Sequence, residues 1–435
     1  MKVNVARSPI HTHEGAVAQH INAEQQLRRS VMACLLWEDE FYESGEEIAK
    51  RIAGLIAQVD PEKVAAIAIE ARGKMKLRHV PLLIVREMAR LPQHKKLVAA
   101  TLSAVVQRAD ELHEFLAIYW KDGRQKVSAQ VKKGLAAAFP KFDEYALAKY
   151  NGDGVVKLRD VLFICHAKPK DAAQAEMWKR LIASELKTPD TWEVALSGGE
   201  NKKETFERLM SEGKLFALAF LRNLRNMEQS GVSKAAVAAY ATTLKTERVL
   251  PFRFITAARI VPQWEDVLEP LMMKCLGEQP KLPGRTVLLL DVSGSMDAAL
   301  SAKARTTRMD AGFGLGVLLR EVCEQVEIFT FSELVMRCAP RRGFALRDEM
   351  ESSQPHGGTY LAAAVKAINV KVPYDRLIVI TDEQAHDGAG MPTSKGYMIN
   401  VASNKNGVGY GAWTHIDGWS EAVVDYIREA ERQEV

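Results

Sequence analysis

From about residue 23 to residue 276, apolar residues recur at spacings of three and four in blocks of roughly 12 to 16 residues, with short polar breaks between them. Blocks such as EEIAKRIAGLIAQ, PEKVAAIAIEAR, HVPLLIVREMARL, ELHEFLAIYW, AEMWKRLIASEL and LFALAFLRNLRNM each place an apolar stripe on one helix face. Pro61 opens one of them at a position where a missing N–H costs nothing. The rhythm predicts antiparallel helix pairs. They stack either as an α-solenoid of HEAT type, in which each pair covers its neighbour's apolar face, or as a compact helical bundle.

The texture changes at GEQPKLPG, residues 277–284, where two prolines and two glycines fall together, which places a domain boundary near 280. The expected domains are 1–280, helical, and 281–435. In the second, TVLLLDV, VEIFTFS, LVMRCA, RLIVITD and YMINVAS read as strands, while FGLGVLLREVCEQ, TYLAAAVKAINV and WSEAVVDYIREAER read as helices. This alternation predicts an open, mostly parallel, doubly wound sheet, so the whole chain reads as α plus α/β. Ligands of such sheets gather at the carboxyl ends of the strands.

A chain of 435 residues exceeds one hydrophobic core and fits two or three domains. Hydrophobic residues at 47% and charged residues at 26% are ordinary for a soluble protein, and no apolar run approaches the roughly 20 residues of a membrane span. The N-terminus lacks an apolar signal core, and the five cysteines are scattered, odd in number and without a CxxC pair, so a reducing, cytoplasmic setting is expected. Charge is uneven. From Lys281 onward 17 Lys+Arg face 20 Asp+Glu, leaving 42 against 35, a net +7, in the first 280 residues. A basic front half points to a polyanionic partner.

Asp291 closes the apolar run VLLLD, and Ser293 and Ser295 follow in the loop behind it; Asp382 closes RLIVITD, and Thr359 follows Gly357 and Gly358. Five hard oxygen donors thus converge from three loops, the donor type that Mg²⁺, or Mn²⁺, selects. A hydrolase using Ser293 or Ser295 is the enzymatic rival, with His356 and His415 as candidate bases, but the chain has neither a G-x-S-x-G elbow nor a G-x-x-x-x-G-K-[ST] loop. DxSxS, the later Thr and the strand-terminal Asp together resemble the metal-ion-dependent adhesion site of the von Willebrand factor A domain. That resemblance implies a divalent ion with one position open, usually to a partner's carboxylate.

The helical segments KLRDVLFICHAKPKD, LFALAFLRNLRNMEQSGVS and RVLPFRFITAARI resemble the TROVE module of the Ro ribonucleoprotein family, in which an A domain follows directly. The likeness is to a bacterial or phage-borne Ro-like protein, and it implies a HEAT-like ring closed by the A domain, without enzymatic activity. It implies binding of small stem-loop Y-like RNA on a basic outer face and of single-stranded 3′ ends of misfolded RNA in the central hole. An exoribonuclease is an implied partner, in RNA quality control or maturation, with the protein itself a monomer. By position, the RNA-contacting histidine corresponds to His166, followed by Lys168 and Pro169, and an upstream lysine to Lys149. The stretch YNGDGVV departs from the family's basic pattern there, since Asp153 repels phosphate. Lys121, Arg124, Lys126, Lys132 and Lys133 form the densest basic cluster and stand in for it. Arg222 and Arg225, three apart on one helix face, either line the hole or tie neighbouring repeats together. The alternative function is a metal-dependent protein-interaction adaptor without RNA binding.

Overall fold

The computed structural model describes residues 8–433 except 153, 247–248, 277–279, 301 and 303–305, so Asp153 and part of the expected boundary lie outside the described residues. Packing separates the chain into two compact units, one of residues 49–200 and one that joins residues 1–48 to 201–435.

The 49–200 unit is helical. Pro61–Gly73 starts on Asp60, whose carboxylate accepts the Glu62 amide at 3.0 Å, with Pro61 in the first turn. His79–Arg90 is buried from Val80 through Met88, as an interior helix must be when other helices cover it on every side. Ala129–Ala138 crosses Val98–Val105 at Gly134, where a Cβ would come within 2.9 Å of the Leu102 Cβ. Helix pairing follows the spacing of apolar residues closely here.

The other unit carries a six-stranded mixed sheet: β3 (Leu282–Asp291), β4 (Cys323–Phe331), β5 (Val335–Arg337), β6 (Arg376–Thr381), β7 (Lys395–Asn400) and β8 (Thr414–Asp417), in the order β5-β4-β3-β6-β7-β8. All pairs are parallel except β4 with β5 at one edge. The α plus α/β class expected from the sequence is observed. Side chains alternate across β3: Val287 and Leu289 join a core with Val365, Ile368 and Trp413, while Leu290 meets the opposite-face helix Arg308–Val322 at Gly316. Cys323, read from the sequence as part of that helix, instead opens β4, because the run CEQVEIFTF pairs with β3. A two-residue hairpin, β1 (Ile10–His11) with β2 (Val17–Ala18), and the edge strand β8 were not expected.

Helices that precede the sheet in sequence are built into the same unit. Arg259, on Phe252–Ile260, pairs with Asp310 at 2.8 Å and Glu351 at 2.9 Å, and Arg347 reaches Glu265 at 2.9 Å. Gly314 lets the Arg308–Val322 helix approach Phe252 so closely that a Cβ would stand 2.9 Å from the Phe252 amide nitrogen. Packing therefore divides the chain at 48/49 and 200/201, while composition changes near 280.

Backbone cannot yield as a side chain can. Gly314→Ala is expected to lower unfolding stability by about 1–3 kcal/mol in denaturant melts. Gly54→Ala, at an exposed helical position with nothing within 4 Å, is expected to raise it by up to about 1 kcal/mol.

Candidate metal centre and nucleic-acid face

Strand β3 lies between β4 and β6, so the sheet's order reverses beside it, the kind of switch point at whose carboxyl end ligands of such sheets bind. Asp291 ends β3 and Asp382 follows β6, both at that switch point. The loops bearing the other three residues are tied together by backbone bonds: Gly294 N donates to Gly357 O at 3.1 Å, and Ser332 Oγ to Gly358 O at 2.9 Å. Asp291, Ser293, Ser295, Thr359 and Asp382 are all buried.

The donors fit a divalent ion. Asp291 is oriented by the Ser293 amide at 2.9 Å and the Thr381 hydroxyl at 2.6 Å, and Asp382 accepts the Gln384 amide at 3.1 Å. The Oγ atoms of Ser293 and Ser295 are buried without a completed hydrogen bond, a costly state for hydroxyls unless they serve as ligands. Burial first, and then the charge of Asp382, push the Asp291 carboxyl up to about 7, against the pull of Ser293 and Thr381. Two buried carboxylates facing orphaned hydroxyls are what an oxygen-liganded cation relieves. Among the described residues no group of three or more His, Cys, Asp and Glu stands ready for a metal, so a cation here relies on hydroxyl oxygens. His356 Nδ1 is engaged with the Val292 carbonyl at 2.7 Å, and among the described residues neither serine hydroxyl bonds a histidine.

The centre is roofed by the N-terminal segment, which sequence reasoning missed. Thr12 Oγ1 donates to Ala385 O at 2.8 Å, His13 N to Gln384 Oε1 at 3.1 Å, Asn406 Nδ2 to His11 O at 3.0 Å, and Gln19 N to Gly407 O at 3.1 Å. Glu40 pairs with Arg308, whose guanidinium also lies 3.5 Å from Asp382. Beyond the roof, Arg29 is fully buried, bonding Glu383 and the carbonyls of Asn404 at 2.7 Å and Asn406 at 2.9 Å. His415 completes the network at 2.9 Å from Glu383 and 3.4 Å from Asp417. Burial alone lowers the His415 pKa, but Asp417 and Glu383 outweigh it and hold the imidazole up at about 9. Burial likewise works against the ionised Glu383, yet Arg29 and His415 keep it below the usual carboxylate range.

In the 49–200 unit, Lys133, His166 and Lys168 are exposed and Lys132 is partly so. His166 caps the helix Leu158–Cys165 in the left-handed conformation, φ 53°, and points outward rather than into the core that VLFIC forms. Lys149 is half-buried and 3.9 Å from Glu193, which takes up part of its charge. Arg124 lies over the Trp120 ring, 5.1 Å from its centroid, beside a cleft of about 230 Å³ that Val155, Val156, Asp160 and Ile164 also line. Val155 and Phe163 are exposed apolar groups near these basic residues in the sequence, and their composition alone gave no signal. In the other unit, Arg222 and Arg225 are exposed on Ala217–Gln229, so buried hydrogen bonds between repeats are not their role; the buried amide on that helix is Asn223, which donates to Ala219 O at 2.9 Å.

Residues 179–274 match the family model described as the TROVE domain. The chain is similar to the telomerase protein component 1 of Mus musculus, 23% identical over 328 residues that cover 55% of this chain and 12% of that protein. The same component of Rattus norvegicus is 32% identical over 110 residues, covering 24% of this chain and 4% of the relative. The chain thus spans a small fraction of the length of these curated relatives. Among solved structures, the crystal structure of the Deinococcus radiodurans RO (RSR) protein superposes with a TM-score of 0.63 at 18% identity, covering 95% of this chain and 100% of that one. Domain match and fold agree with the likeness drawn from the sequence. No helix among the described residues is long and apolar enough to cross a membrane.

The Arg29–Glu383–His415–Asp417 network makes stability depend on pH. A histidine held at about 9 against an ordinary 6.5 contributes stability that is complete below about pH 6.5 and is lost as pH rises through 9. The depressed Glu383 and Asp417 contribute above the ordinary carboxylate range and lose their share on acidification. Melting temperature is expected to fall between pH 6.5 and 9.5 by the equivalent of ~3 kcal/mol at most. In His415→Gln that alkaline decline should shrink sharply; an unchanged decline would place its origin elsewhere.

Proposed function

On the premise that this chain is a TROVE-domain protein with the Ro fold, we propose that it is an RNA-binding ribonucleoprotein component. Its RNA is of two kinds: a small stem-loop, Y-like RNA, and the single-stranded 3′ ends of misfolded or immature RNA. The observation that carries the reading is the outward set of Lys132, Lys133, His166 and Lys168 on one helical unit, with Trp120 and Arg124 stacked in the same unit. Lysines neutralise phosphates without regard to sequence, while an outward imidazole bonds a phosphate or stacks on an unpaired base. Trp120 adds a π-face for such a base. Arg222 and Arg225, exposed on the other unit, offer further guanidinium contacts to single strands.

In this reading the protein holds RNA and passes it on, to an exoribonuclease in RNA quality control, and itself performs no chemistry. It acts as a cytoplasmic monomer. A Mg²⁺ or Mn²⁺ ion is held by Asp291, Ser293, Ser295, Thr359 and Asp382, and there it supplies a Lewis-acid anchor for a carboxylate. The buried, unbonded serine hydroxyls favour a second use of the chain, as an adaptor whose metal centre docks an acidic protein.

Affinity for a stem-loop RNA should fall steeply with salt. Lys132→Ala with Lys133→Ala should flatten the slope of log affinity against log salt by about one to two units, at roughly 0.7 to 0.9 per phosphate contact. His166→Ser should weaken binding with little change of slope. If the parent retains no RNA at low salt, the adaptor reading stands alone.

A further inference from the structure

The cleft of about 230 Å³ on the 49–200 unit is lined by groups of three different kinds. Trp120 and Arg124 form a stacked pair, the guanidinium 5.1 Å from the ring centroid. Their turn is held from several sides: Trp120 Nε1 donates to Gln125 O at 2.8 Å, Gly123 N to Trp120 O at 2.9 Å, and Asp122 pairs with Arg90 at 3.0 Å. Asp122 is engaged by Arg86 as well as Arg90, and among the described residues no carboxylate pairs with Arg124. Val155, Val156 and Ile164 supply an apolar wall, and Val155 is fully exposed, so that wall is open to a ligand. Asp160 is the remaining lining group. Its Oδ2 accepts the Lys157 amide at 2.9 Å, which fixes the carboxylate at the start of the helix Leu158–Cys165, while Oδ1 lies 3.9 Å from Arg159 Nε, too far for a hydrogen bond.

We propose that this cleft takes one unpaired guanine base of a bound RNA. The inference rests on the RNA-binding reading above and adds base selectivity to it. The base enters between the Trp120–Arg124 stack and the wall of Val155, Val156 and Ile164, and its edge meets Asp160. The size agrees: 230 Å³ falls short of the roughly 300 Å³ at which pockets for drug-sized ligands begin, and leaves room for a single flat ring system. Stacking on an indole or a guanidinium does not depend on which base is present. Asp160 does discriminate. An ionised carboxylate only accepts hydrogen bonds, and Oδ2 keeps accepting capacity beyond its bond to Lys157. Guanine presents two neighbouring donors, N1–H and N2–H, on its Watson–Crick edge, which match the two oxygens of one carboxylate. Uracil offers a single N3–H between two carbonyls that repel the charge, and adenine and cytosine offer one amino donor beside a ring nitrogen that also repels it. A carboxylate repels phosphate, so Asp160 is suited to a base edge and not to the backbone. Lys121, Lys126 and Arg159, neighbours in sequence of the lining residues, are exposed and suited to the phosphates on either side.

The test measures the affinity of the full chain, at one fixed salt concentration, for an oligouridylate and for the same strand with a single central guanosine, inosine, adenosine or cytidine. The guanosine strand should bind about tenfold or more tighter than the oligouridylate, the effect of a bidentate base contact. The inosine strand, which lacks the N2 amino group, should fall between them, and the adenosine and cytidine strands should stay near the oligouridylate. Asp160→Asn keeps a carbonyl oxygen to accept the Lys157 amide but cannot take both guanine donors, and should bring the ratio of guanosine to uridine affinity close to one. Arg124→Ala should weaken all the strands by similar factors while the guanosine preference persists, so stack and carboxylate are read separately even if one variant folds poorly. Equal affinity of the parent for the guanosine and uridine strands, or a preference that survives in Asp160→Asn, would overturn the guanine pocket and leave salt-sensitive RNA binding standing. No affinity at low salt for any of these strands or for a stem-loop RNA would overturn the RNA-binding reading itself.

Discussion

A guanidinium without access to water must be matched by charge and hydrogen bonds on all sides, and Arg29 imposes that demand on the loops around the candidate metal centre. It satisfies the demand with Glu383 and the carbonyls of Asn404 and Asn406, while His415 and Asp417 balance Glu383. Glu383 is held in the left-handed conformation, φ 60°, immediately after Asp382. One buried cation on an N-terminal helix thereby fixes the backbone that carries a candidate ligand some 354 positions along the chain. The same contact anchors the segment from which the β1–β2 roof descends, so centre and roof share one support.

The fold was legible where chemistry and period coincide. Apolar runs ending in Asp291 and Asp382 read as central strands because strands buried on both faces need no alternation, and the expected sheet formed around them. The roof was not legible: two-residue strands carry no period, and the sequence AEQQLRRSVM reads as an ordinary surface helix. Nothing local distinguishes Arg29 from Arg28, since the partners of Arg29 lie in the last sixty residues. The outward turn of His166 comes from a left-handed helix cap, a geometry that a histidine after VLFIC does not announce.

The partition into units was obscured for a related reason. Composition changes near residue 280, but Gly314 and Gly316 make the Arg308–Val322 helix slim enough to pack closely against both the preceding helices and the sheet. Close approach, reinforced by Arg259 and Arg347, overrides the change of texture. Each unit then carries its own chemistry: outward basic residues on the helical one, buried oxygen donors at the strand ends of the other.

The central claim is that RNA is held by the outward basic face of the 49–200 unit. The most direct measurement is photo-cross-linking of a thiouridine-substituted stem-loop RNA to the full chain, with the cross-linked peptides mapped by mass spectrometry at low and high salt. The account predicts cross-links within residues 120–170 that disappear as salt is raised. Cross-links confined to the loops at the strand ends, or ones indifferent to salt, would contradict it.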